Sequence, residues 1–481
     1  MQWIPVIGLE VHARLRTRTK LFCSCEISFG DAPNTHCCPI CLGYPGALPV
    51  MNGHAVDLAI AAALATDCTI RRSSRFSRKN YFYPDLPKGY QITQYDEPLA
   101  SNGHLEIATP AGPRTIRILR IHIEEDAGKL LHDLPGREMP SQSSLVDLNR
   151  AGTPLIEIVS EPDLRSPEEA AEYAGALRRI LMHTNVCDGN MEEGSFRIDA
   201  NVSVHREGEP LGTRSEIKNL NSFRFLARAI EFEIERQARL LDSGAPIVQE
   251  TRLYDPAARE TRAMRSKEEA HDYRYFPEPD LHPLIVDDAW IERIRASLPE
   301  LPAARAKRYA SLGVPLREAE MLTVEPALAD YFEAVVDAGA APSRASNWVR
   351  NEVLRAVNEK GIDPSAWHLT PRKLAALIRL VEEGRISAGA GRTVFEAMAD
   401  SEKDEPEAIV ARLGLEQISD PTAVREAAEQ VLAESPEELA SYRGGKTQLL
   451  GFFVGRVLKA TGGKADPAVV RKVLDEILPH R

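Results

Sequence analysis

The sequence predicts an α+β protein in which an antiparallel-sheet domain precedes helical domains. Its 481 residues amount to about three typical domains. Several segments of the first part alternate apolar and polar residues between Gly- and Pro-rich turns, which is typical of antiparallel strands. Further along the chain, Ala, Leu, Glu and Arg recur at helical spacing. We therefore predict a sheet domain over residues 1–295, a helical domain over 296–400 and a small helical tail domain over 408–481.

Composition excludes several classes of protein. Hydrophobic residues make up 43% and charged residues 27% of the chain, the balance of a globular protein that buries large cores. The longest strongly apolar stretch, Leu58–Thr66, is far shorter than the roughly 20 residues of a membrane span. The N-terminus lacks the pattern of a secretory signal. We expect a cytoplasmic protein with no membrane partner.

Charge is distributed unevenly along the chain. With 59 Lys and Arg against 71 Asp and Glu, the net charge is −12, which argues against nonspecific coating of nucleic acid. The tail over Ser441–Arg481 differs, because eight Lys and Arg stand there against three Asp and Glu, a local charge of +5. This tail is therefore the candidate basic surface.

Helix boundaries are clearest where capping residues precede a periodic apolar pattern. Ser166-Pro-Glu-Glu169 combines an N-cap Ser with Pro at the first helical position, and apolar residues follow at helical spacing. A second helix is expected from Ser222 to Gly244. Further helices are expected over Pro326–Ala338, Ser343–Glu359 and Thr370–Glu383, and a charged linker over Ala399–Pro406.

The cysteines predict a structural zinc site. Five of the seven lie within 19 residues, in two close pairs separated by a loop, as four tetrahedral thiolate ligands require. We assign Cys23, Cys25, Cys38 and Cys41 to Zn²⁺, with Cys37 or His36 as possible substitutes for one ligand. Such a site would be closed and would hold a loop in place. The alternative is a set of reduced core thiols.

Four segments that read as strands carry titratable side chains on one face. The segment Ile7–Leu15 places Glu10 and His12 on its polar face, and three others repeat the arrangement. These are Leu119–Asp126 with Arg120, His122, Glu124 and Asp126; Gly194–Arg206 with Arg197 and Asp199; and Thr213–Asn219 with Arg214, Glu216 and Lys218. On neighbouring strands these groups could bind Mg²⁺ and clamp phosphates. The alternative is a solvated face of an antiparallel sheet.

No common nucleotide-binding loop accompanies these strands. Gly444-Gly-Lys-Thr447 resembles the end of a P-loop, but Ala440 stands where the first glycine is required. If ATP binds, it therefore binds on a sheet through metal and cation contacts. Arg78–Tyr90 and Asp272–Asp280 combine aromatic and charged residues, as a loop covering a nucleotide would, although ordinary aromatic turns have the same composition.

Five motifs together resemble a known family. They are Val6-Ile-Gly-Leu-Glu-Val-His12, Arg78-Lys-Asn-Tyr-Phe-Tyr-Pro-Asp85, His122-Ile-Glu-Glu-Asp-Ala-Gly-Lys129, Leu145-Val-Asp-Leu-Asn-Arg-Ala-Gly-Thr-Pro-Leu155 and Glu216-Ile-Lys-Asn-Leu-Asn-Ser-Phe223. In this order they are similar to the B subunits of tRNA-dependent aspartyl/glutamyl-tRNA amidotransferases. The resemblance covers essentially the whole chain.

The resemblance implies a glutamine-hydrolysing carbon–nitrogen ligase. The B subunit would use ATP and Mg²⁺ to phosphorylate the side-chain carboxylate of Glu-tRNA(Gln) or Asp-tRNA(Asn). An amidase A subunit would release ammonia from glutamine to displace the phosphate, and a small C subunit would complete the heterotrimer. The sheet domain would be a cradle similar to that of glutamine synthetase. The tail would hold tRNA, with Lys446, Arg456, Lys459 and Lys464 as candidate contacts.

The resemblance also implies a set of site residues. Its metal ligands would be Glu10, His12, Glu125, Asp199 and Glu216, with Glu157 near them. Strand alternation favours Glu124 over Glu125 for the face that carries His122, and a bulge at the end of the strand would be needed to reverse this. Side-chain chemistry suggests Lys79, Lys88 and Lys218 as phosphate contacts.

Two other functions fit parts of the sequence. A stand-alone ATP-dependent carboxylate–amine ligase could act on a small acid with free ammonium. A zinc-stabilised RNA-binding scaffold would have no use for the four polar strand faces. Which aminoacyl-tRNA is used, which tRNA bases are read and how ammonia travels do not follow from the sequence.

Overall fold

A computed structural model describes residues 3–131, 143–264, 273–401, 404–417 and 420–478. The chain forms two compact units, Met1–Leu301 and Pro302–Arg481. The first unit contains a large sheet with helices, and the second is helical in its described residues. The mixed α and β composition expected from the sequence is confirmed.

In the first unit the described strands are β1 (Ile4–Arg14), β2 (Thr69–Ile70), β3 (Ser73–Ser74), β4 (Phe76–Asn80), β5 (Tyr90–Gln94), β6 (Ala100–Thr109), β7 (Gly112–Glu125), β8 (Lys129–Leu131), β9 (Leu145–Asp147), β10 (Pro154–Ser160), β11 (Phe196–His205), β12 (Ser215–Lys218), β13 (Thr251–Asp255), β14 (Glu260–Ala263), β15 (Phe276–Pro277) and β16 (Leu284–Ile285). The helices of this unit are α1 (Gly53–Ala65), α2 (Pro167–His183), α3 (Phe223–Asp242) and α4 (Asp288–Ser297).

Twelve of the described strands form one sheet, whose main path runs β14-β13-β12-β11-β1-β10-β7-β5-β4-β15. All pairings along this path are antiparallel except β12 with β13. β1 lies in the middle of the path, and its alternating residues Ile7, Leu9 and Val11 are fully buried there. Its other face carries the polar residues that the sequence analysis selected. The strand predictions for β1, β7, β11 and β12 are confirmed.

Helices α2 and α3 begin where the caps predict. Ser166 Oγ accepts a hydrogen bond from the Glu169 amide, and Ser222 Oγ accepts one from the Phe225 amide, so each cap satisfies an otherwise free amide. Leu177 and Leu181 of α2 and Leu226 and Ile230 of α3 are buried in the core of the first unit. The two helices therefore cover one face of the sheet and leave the polar face to other contacts.

The sequence analysis did not identify β10 as a strand, although it lies between β1 and β7. Leu155, Ile156 and Ile158 are buried, so this short segment is apolar on both faces. An apolar run without alternation does not distinguish a strand from a buried helix. Its one carboxylate, Glu157, faces His12 on β1 and His122 on β7.

A buried ion cluster holds the β12–β14 edge of the sheet to α3. Glu233 is fully buried and binds Arg236 at 2.6 Å and Arg252 at 3.3 Å. Gln237 Nε2 and Thr261 Oγ1 donate to the same carboxylate at 2.8 and 3.0 Å. The cluster links residues from a helix and two strands, so it supports the edge that carries Glu216 and Lys218.

Glu233→Gln is expected to lower the free energy of unfolding by about 1–3 kcal/mol, because it removes the fully buried carboxylate that Arg236 and Arg252 share and leaves Glu250 to pair with both guanidinium groups. Thermal or denaturant unfolding measures this loss. The matched control is Glu260→Gln on β14, whose pairing with Arg262 is exposed, and it should change stability by less than about 0.5 kcal/mol. Equal effects from the two variants would contradict a stabilising role for the buried cluster.

The described helices of the second unit are α5 (Pro302–Ser311), α6 (Leu316–Leu322), α7 (Pro326–Asp337), α8 (Pro342–Trp348), α9 (Leu354–Lys360), α10 (Pro371–Glu382), α11 (Ala388–Asp400), α12 (Pro406–Leu413), α13 (Pro421–Glu434), α14 (Pro436–Arg443), α15 (Leu449–Ala460) and α16 (Pro467–Ile477). A π-helical turn over Val349–Val353 joins α8 to α9. The predictions of helices at α7, α8–α9 and α10 are confirmed. Within the described part of the chain, none of the helices combines the length and apolar character of a membrane span.

The domain limits drawn from the sequence stay predictions. The first predicted boundary, at residue 295, lies within α4, whereas the first compact unit ends at Leu301. The predicted tail start at 408 lies within α12, whose Ile409 and Val410 pack in the same core as α7 and α10. A separate core begins at Val424 and continues to Leu478. Residues 402–403 of the predicted linker lie outside the described residues.

Candidate active site on the polar face of the sheet

Five adjacent strands bring their polar side chains onto one face of the sheet, in the order β12, β11, β1, β10 and β7. Across β11, β1, β10 and β7, Arg197, His12, Glu157 and His122 lie in one register row. One step along, Glu10 of β1 pairs with Asp199 of β11. Side chains two residues apart on a strand share a face, so these rows form a continuous polar surface.

Two histidines and two carboxylates meet at the centre of this surface. His12 Nε2 lies 3.2 Å from Glu157 Oε2 and 3.7 Å from Glu124 Oε1. His122 Nε2 lies 3.5 Å from Glu157 Oε2 and 3.6 Å from Glu124 Oε2. The potential ligand atoms of His12, Glu124 and Glu157 all lie within 4.8 Å of one another. One imidazole and two carboxylates are a donor set that fits a divalent cation.

The electrostatics of this cluster favour ionised carboxylates. Burial alone would raise the pKa of Glu157, but His122, His12 and Lys79 outweigh burial and lower it well below its usual value. Burial would also raise the pKa of Glu124, yet His122 and His12 lower it. Both side chains therefore carry negative charge near neutral pH, as ligands of a hard cation must.

A second group of carboxylates lies beside the first. Lys218 Nζ binds Asp199 at 2.7 Å and Glu216 at 2.9 Å. Asn201 Nδ2 donates to Glu10 Oε1 at 2.9 Å, and Thr251 Oγ1 donates to Glu216 Oε2 at 2.7 Å.

Glu10 shows how closely the carboxylates of the two groups approach. Burial raises the pKa of Glu10, and the negative charges of Glu157, Glu216 and Asp199 raise it further. The two groups therefore form one acidic surface, and a cation bound there would relieve the repulsion among its members.

Glu125 does not join this surface. Its side chain binds Lys88 Nζ and accepts a hydrogen bond from the Ile92 amide at 2.9 Å. It lines a cavity of about 210 Å³ beside the cysteine loop, with Cys41 and Gly152 among the lining residues. The structure therefore gives no support to Glu125 as a ligand together with His12.

The pairing of β7 with β10 contains no bulge that would turn Glu125 toward His122. Pairing between β7 and β10 is continuous from Glu125 with Pro154 to Arg120 with Val159, and the register shifts only beyond that point. Strand alternation, which favoured Glu124, describes this segment correctly.

The three candidate phosphate-binding lysines have different surroundings. Lys79 Nζ lies 4.9 Å from the centre of the Tyr273 ring and near enough to Glu157 to lower its pKa. Lys218 is held by the Asp199 and Glu216 carboxylates, and Lys88 is buried against Glu125, away from the polar surface. Lys79 is therefore the best placed of the three for a phosphate beside the central cluster.

Several residues of this surface were recognised only as part of a polar strand face. Arg197 binds Asp126 at 3.1 Å. Arg120 has a buried Nε that finds no hydrogen-bond partner among the described residues, which leaves a guanidinium group available to an anion. Alternation along β7 and β11 was the signal for both residues, but it did not show which strands are neighbours.

The four cysteines assigned to zinc do converge. The sulfur atoms of Cys23, Cys25, Cys38 and Cys41 lie within 4.8 Å of one another. Hydrogen bonds from Cys23 and from the Cys38 amide lower the pKa of Cys41 to about 4 despite its burial, so a thiolate is favoured. His36 instead binds Asp31 at 2.8 Å, and Cys37 lies outside the cluster. The set fits a closed tetrahedral Zn²⁺ site.

The basic residues of the tail that the structure describes are exposed. Lys446 lies between α14 and α15, Arg456 and Lys459 lie on α15, and Lys464 follows it. Arg456 and Lys459 are three residues apart and therefore share a face of the helix. Arg456 lies 3.8 Å from Glu434, which partly neutralises it. Arg481, at the end of the predicted basic tail, lies outside the described residues.

Comparison with known proteins gives consistent results along the chain. Residues 5–292 match the model of the GatB/GatE catalytic domain, and residues 330–478 match that of the GatB domain. The chain is 54% identical over 477 residues to the B subunit of the aspartyl/glutamyl-tRNA(Asn/Gln) amidotransferase from Geobacter sulfurreducens, covering 98% of this chain and 99% of the relative. The proteins of the same name from Anaeromyxobacter dehalogenans and Syntrophotalea carbinolica are 55% and 52% identical, and each alignment covers at least 97% of both chains.

Proposed function

From the premise that the chain belongs to the family of amidotransferase B subunits, we propose that it activates the side-chain carboxylate of Glu-tRNA(Gln) or Asp-tRNA(Asn) by ATP-dependent phosphorylation. Ammonia from an amidase partner then converts the activated acid to the amide. The product is Gln-tRNA(Gln) or Asn-tRNA(Asn). The observation that carries the proposal is the convergence of His12, Glu124 and Glu157 from three strands.

The ligand set proposed for Mg²⁺ is His12, Glu124 and Glu157, with Glu10, Asp199 and Glu216 as further carboxylates on the same surface. When bound, Mg²⁺ would neutralise negative charge on the phosphate oxygens of ATP. The strand backbones fix the spacing of the ligands, because neighbouring strands are held by their hydrogen-bond register. The imidazole of His122 lies against both Glu124 and Glu157 and orients them.

The cations of the chain would position the two substrates. Lys79 and Arg120 make no ion pair among the described residues, and both are placed to bind anionic oxygens of ATP or the substrate carboxylate. Lys218 holds Asp199 and Glu216 together and limits the repulsion between them. Positioning and charge neutralisation supply most of the rate enhancement in phosphoryl transfer.

The proposed reaction has two steps. A side-chain carboxylate oxygen forms a bond to the γ-phosphorus of ATP as the bond to the ADP oxygen breaks, which gives an acyl phosphate. Ammonia then forms a carbon–nitrogen bond, loses a proton and displaces phosphate, which keeps that carboxylate oxygen. In the cell, an amidase A subunit would supply the ammonia from glutamine, and a small C subunit would complete the cytoplasmic heterotrimer.

The remaining assignments follow the same proposal. The first unit would act as a cradle similar to that of glutamine synthetase, with Zn²⁺ on the four cysteines holding the loop between β1 and α1. The separate core beginning at Val424 supports a tail able to contact tRNA.

The direct experiment incubates the purified chain, with and without its A and C partners, with ATP, Mg²⁺, ammonium and misacylated tRNA. The proposal predicts ADP release that requires the aminoacyl-tRNA. With both side-chain carboxylate oxygens labelled as ¹⁸O, it also predicts one ¹⁸O atom in each released phosphate. Unlabelled phosphate would contradict carboxylate phosphorylation.

The same assay separates the alternative functions. A stand-alone ligase would release ADP with free glutamate or aspartate and ammonium in place of the aminoacyl-tRNA. An RNA-binding scaffold would bind tRNA but release no ADP under any of these conditions.

Charge reversal of the exposed tail lysines Lys446, Lys459 and Lys464 to Glu is expected to weaken tRNA binding by at least about tenfold at moderate salt, because their contacts would be to phosphates. The binding constant should also depend less on salt. The slope of its logarithm against the logarithm of salt concentration should become shallower by up to about 0.9 for each lost phosphate contact. Filter binding or fluorescence anisotropy over a salt series measures both quantities.

The control carries the same charge change elsewhere in the second unit, at Lys307, Arg317 and Arg372. If the control variant weakens binding as much as the tail variant, net charge rather than the tail surface determines tRNA affinity. Point changes are preferable to removing Ser441–Arg481, because that deletion would cut the core formed by Val424, Phe453 and Val470.

A further inference from the structure

Four tyrosines gather at one end of the polar face. Tyr95 and Tyr275 stack with ring centres 3.9 Å apart and planes at 5°. Tyr273 meets Tyr275 and Tyr81 edge to face, with ring centres 6.0 and 6.2 Å apart. Tyr81 follows β4, Tyr95 follows β5 and the other two precede β15, so the cluster joins three neighbouring strands. We call these four residues the tyrosine cluster.

The tyrosine cluster adjoins the proposed metal ligands. Tyr95 stands two residues beyond Thr93, which pairs with Glu124 and donates a hydrogen bond to its carboxylate at 3.2 Å. Lys79 Nζ lies 4.9 Å from the centre of the Tyr273 ring, and its positive charge acts on the Glu157 carboxylate. One cation therefore lies between the aromatic rings and the central carboxylates.

Packing of the fold does not account for the tyrosine cluster. None of its members belongs to the core of the first unit as described, nor to the apolar residues packed against that core. Tyr95 is 50% exposed, so part of the stacked pair is open to solvent. Stacked, partly exposed aromatic rings beside a cation are the arrangement that proteins use to hold nucleobases.

We propose that the tyrosine cluster is the site for an adenine base, stacked against the Tyr95–Tyr275 pair. This inference rests on the proposed function, which supplies two sources of the base: ATP and the 3′-terminal adenosine that carries the esterified amino acid. In ATP, the aromatic region would hold the base, Lys79 would contact the phosphates, and the carboxylates and histidines would lie at the reacting end. In the terminal adenosine the esterified amino acid follows the ribose, so Lys79 would instead face the side-chain carboxylate.

The ATP source is tested by equilibrium binding to the assembled three-subunit enzyme. Tyr95→Ala and Tyr275→Ala should each weaken ATP binding by about tenfold, within the range measured for loss of one base–aromatic stack. Binding of inorganic tripolyphosphate, which has no base, should not change. Tyr95→Phe keeps the ring and should bind ATP within about twofold of the unchanged enzyme.

The tRNA source is tested with the same variants and uncharged tRNA in two forms, intact and trimmed of its terminal adenosine. If that adenosine occupies the site, Tyr95→Ala and Tyr275→Ala weaken binding of intact tRNA, affinity for trimmed tRNA is unchanged, and ATP binding stays normal. A loss of affinity that is confined to ATP or to intact tRNA supports an adenine site and identifies the source of the base.

Two controls make a negative result decisive. Tyr44→Ala removes a tyrosine that is 58% exposed and lies outside the cluster, and it should affect neither ligand. Thermal unfolding checks that each variant is folded. Unchanged affinity for ATP and for intact tRNA in folded Tyr95→Ala and Tyr275→Ala would overturn the inference. If the unchanged enzyme still releases ADP with aminoacyl-tRNA, the proposed function survives that result.

Discussion

Glu124→Gln and Glu157→Gln are each expected to lower aminoacyl-tRNA-dependent ADP release by at least about 100-fold, because each removes a charged ligand from the central cluster. The two carboxylates lie within reach of the same His12 imidazole, so the loss of either leaves an incomplete ligand set. Affinity for tRNA should stay within a few-fold, since the tail and not the cluster is proposed to hold the tRNA backbone. Steady-state ADP release and tRNA binding, measured on the same preparations, test the prediction.

The adjacent residue provides the matched control. Glu125→Gln changes the same chemical group one position along β7, but its side chain faces Lys88 and not His12. This variant should retain ADP release even if its stability falls, because it leaves the buried Lys88 without its partner. Loss of ADP release in Glu125→Gln with full activity in Glu124→Gln would show that the metal site had been assigned to the wrong carboxylate.

Asp199→Asn tests the second carboxylate group in the same assay. It breaks the 2.7 Å ion pair with Lys218 and should also suppress ADP release while tRNA affinity changes little. An equal loss of ADP release and tRNA binding would indicate a structural role for Asp199.

Cys38→Ser is expected to remove zinc and to destabilise the loop between β1 and α1. Metal analysis of the unchanged protein should find about one zinc per chain, and the variant should contain little. Apparent binding free energies on the order of 10 kcal/mol are typical of structural zinc in small domains, so the midpoint of thermal unfolding should fall markedly. A chelator that removes the metal from the unchanged protein should reproduce the shift.

Cys37→Ser is the natural comparison, because this neighbouring thiol lies outside the four-cysteine cluster. It should keep its zinc and its unfolding midpoint. Full zinc occupancy in Cys38→Ser, or its loss in Cys37→Ser, would overturn the ligand assignment.

Much of the local structure could be predicted because it depends on short-range physical rules. Alternation identified the buried and polar faces of β1 and β11, and N-cap serines identified the starts of α2 and α3. The four cysteines were predictable for the same reason, since tetrahedral coordination restricts the spacing of ligands along the chain.

The assembly of the site depends on the order of the strands, which local rules do not determine. β10 has an apolar run on both faces, so Glu157 had no periodic pattern to place it between His12 and His122. Thr93, Tyr95 and Tyr275 reach the site through pairings between segments distant in the chain. Alternation within β7 favoured Glu124, whereas residue-by-residue resemblance selected its neighbour Glu125.

Crystals grown with Mn²⁺ and a non-hydrolysable ATP analogue offer the most direct test of the proposed site. An anomalous difference map should contain a strong peak within coordination distance of His12 Nε2 and the carboxylates of Glu124 and Glu157. A map in which bound Mn²⁺ lies elsewhere, with no peak at these three side chains, would contradict phosphoryl transfer on this face of the sheet.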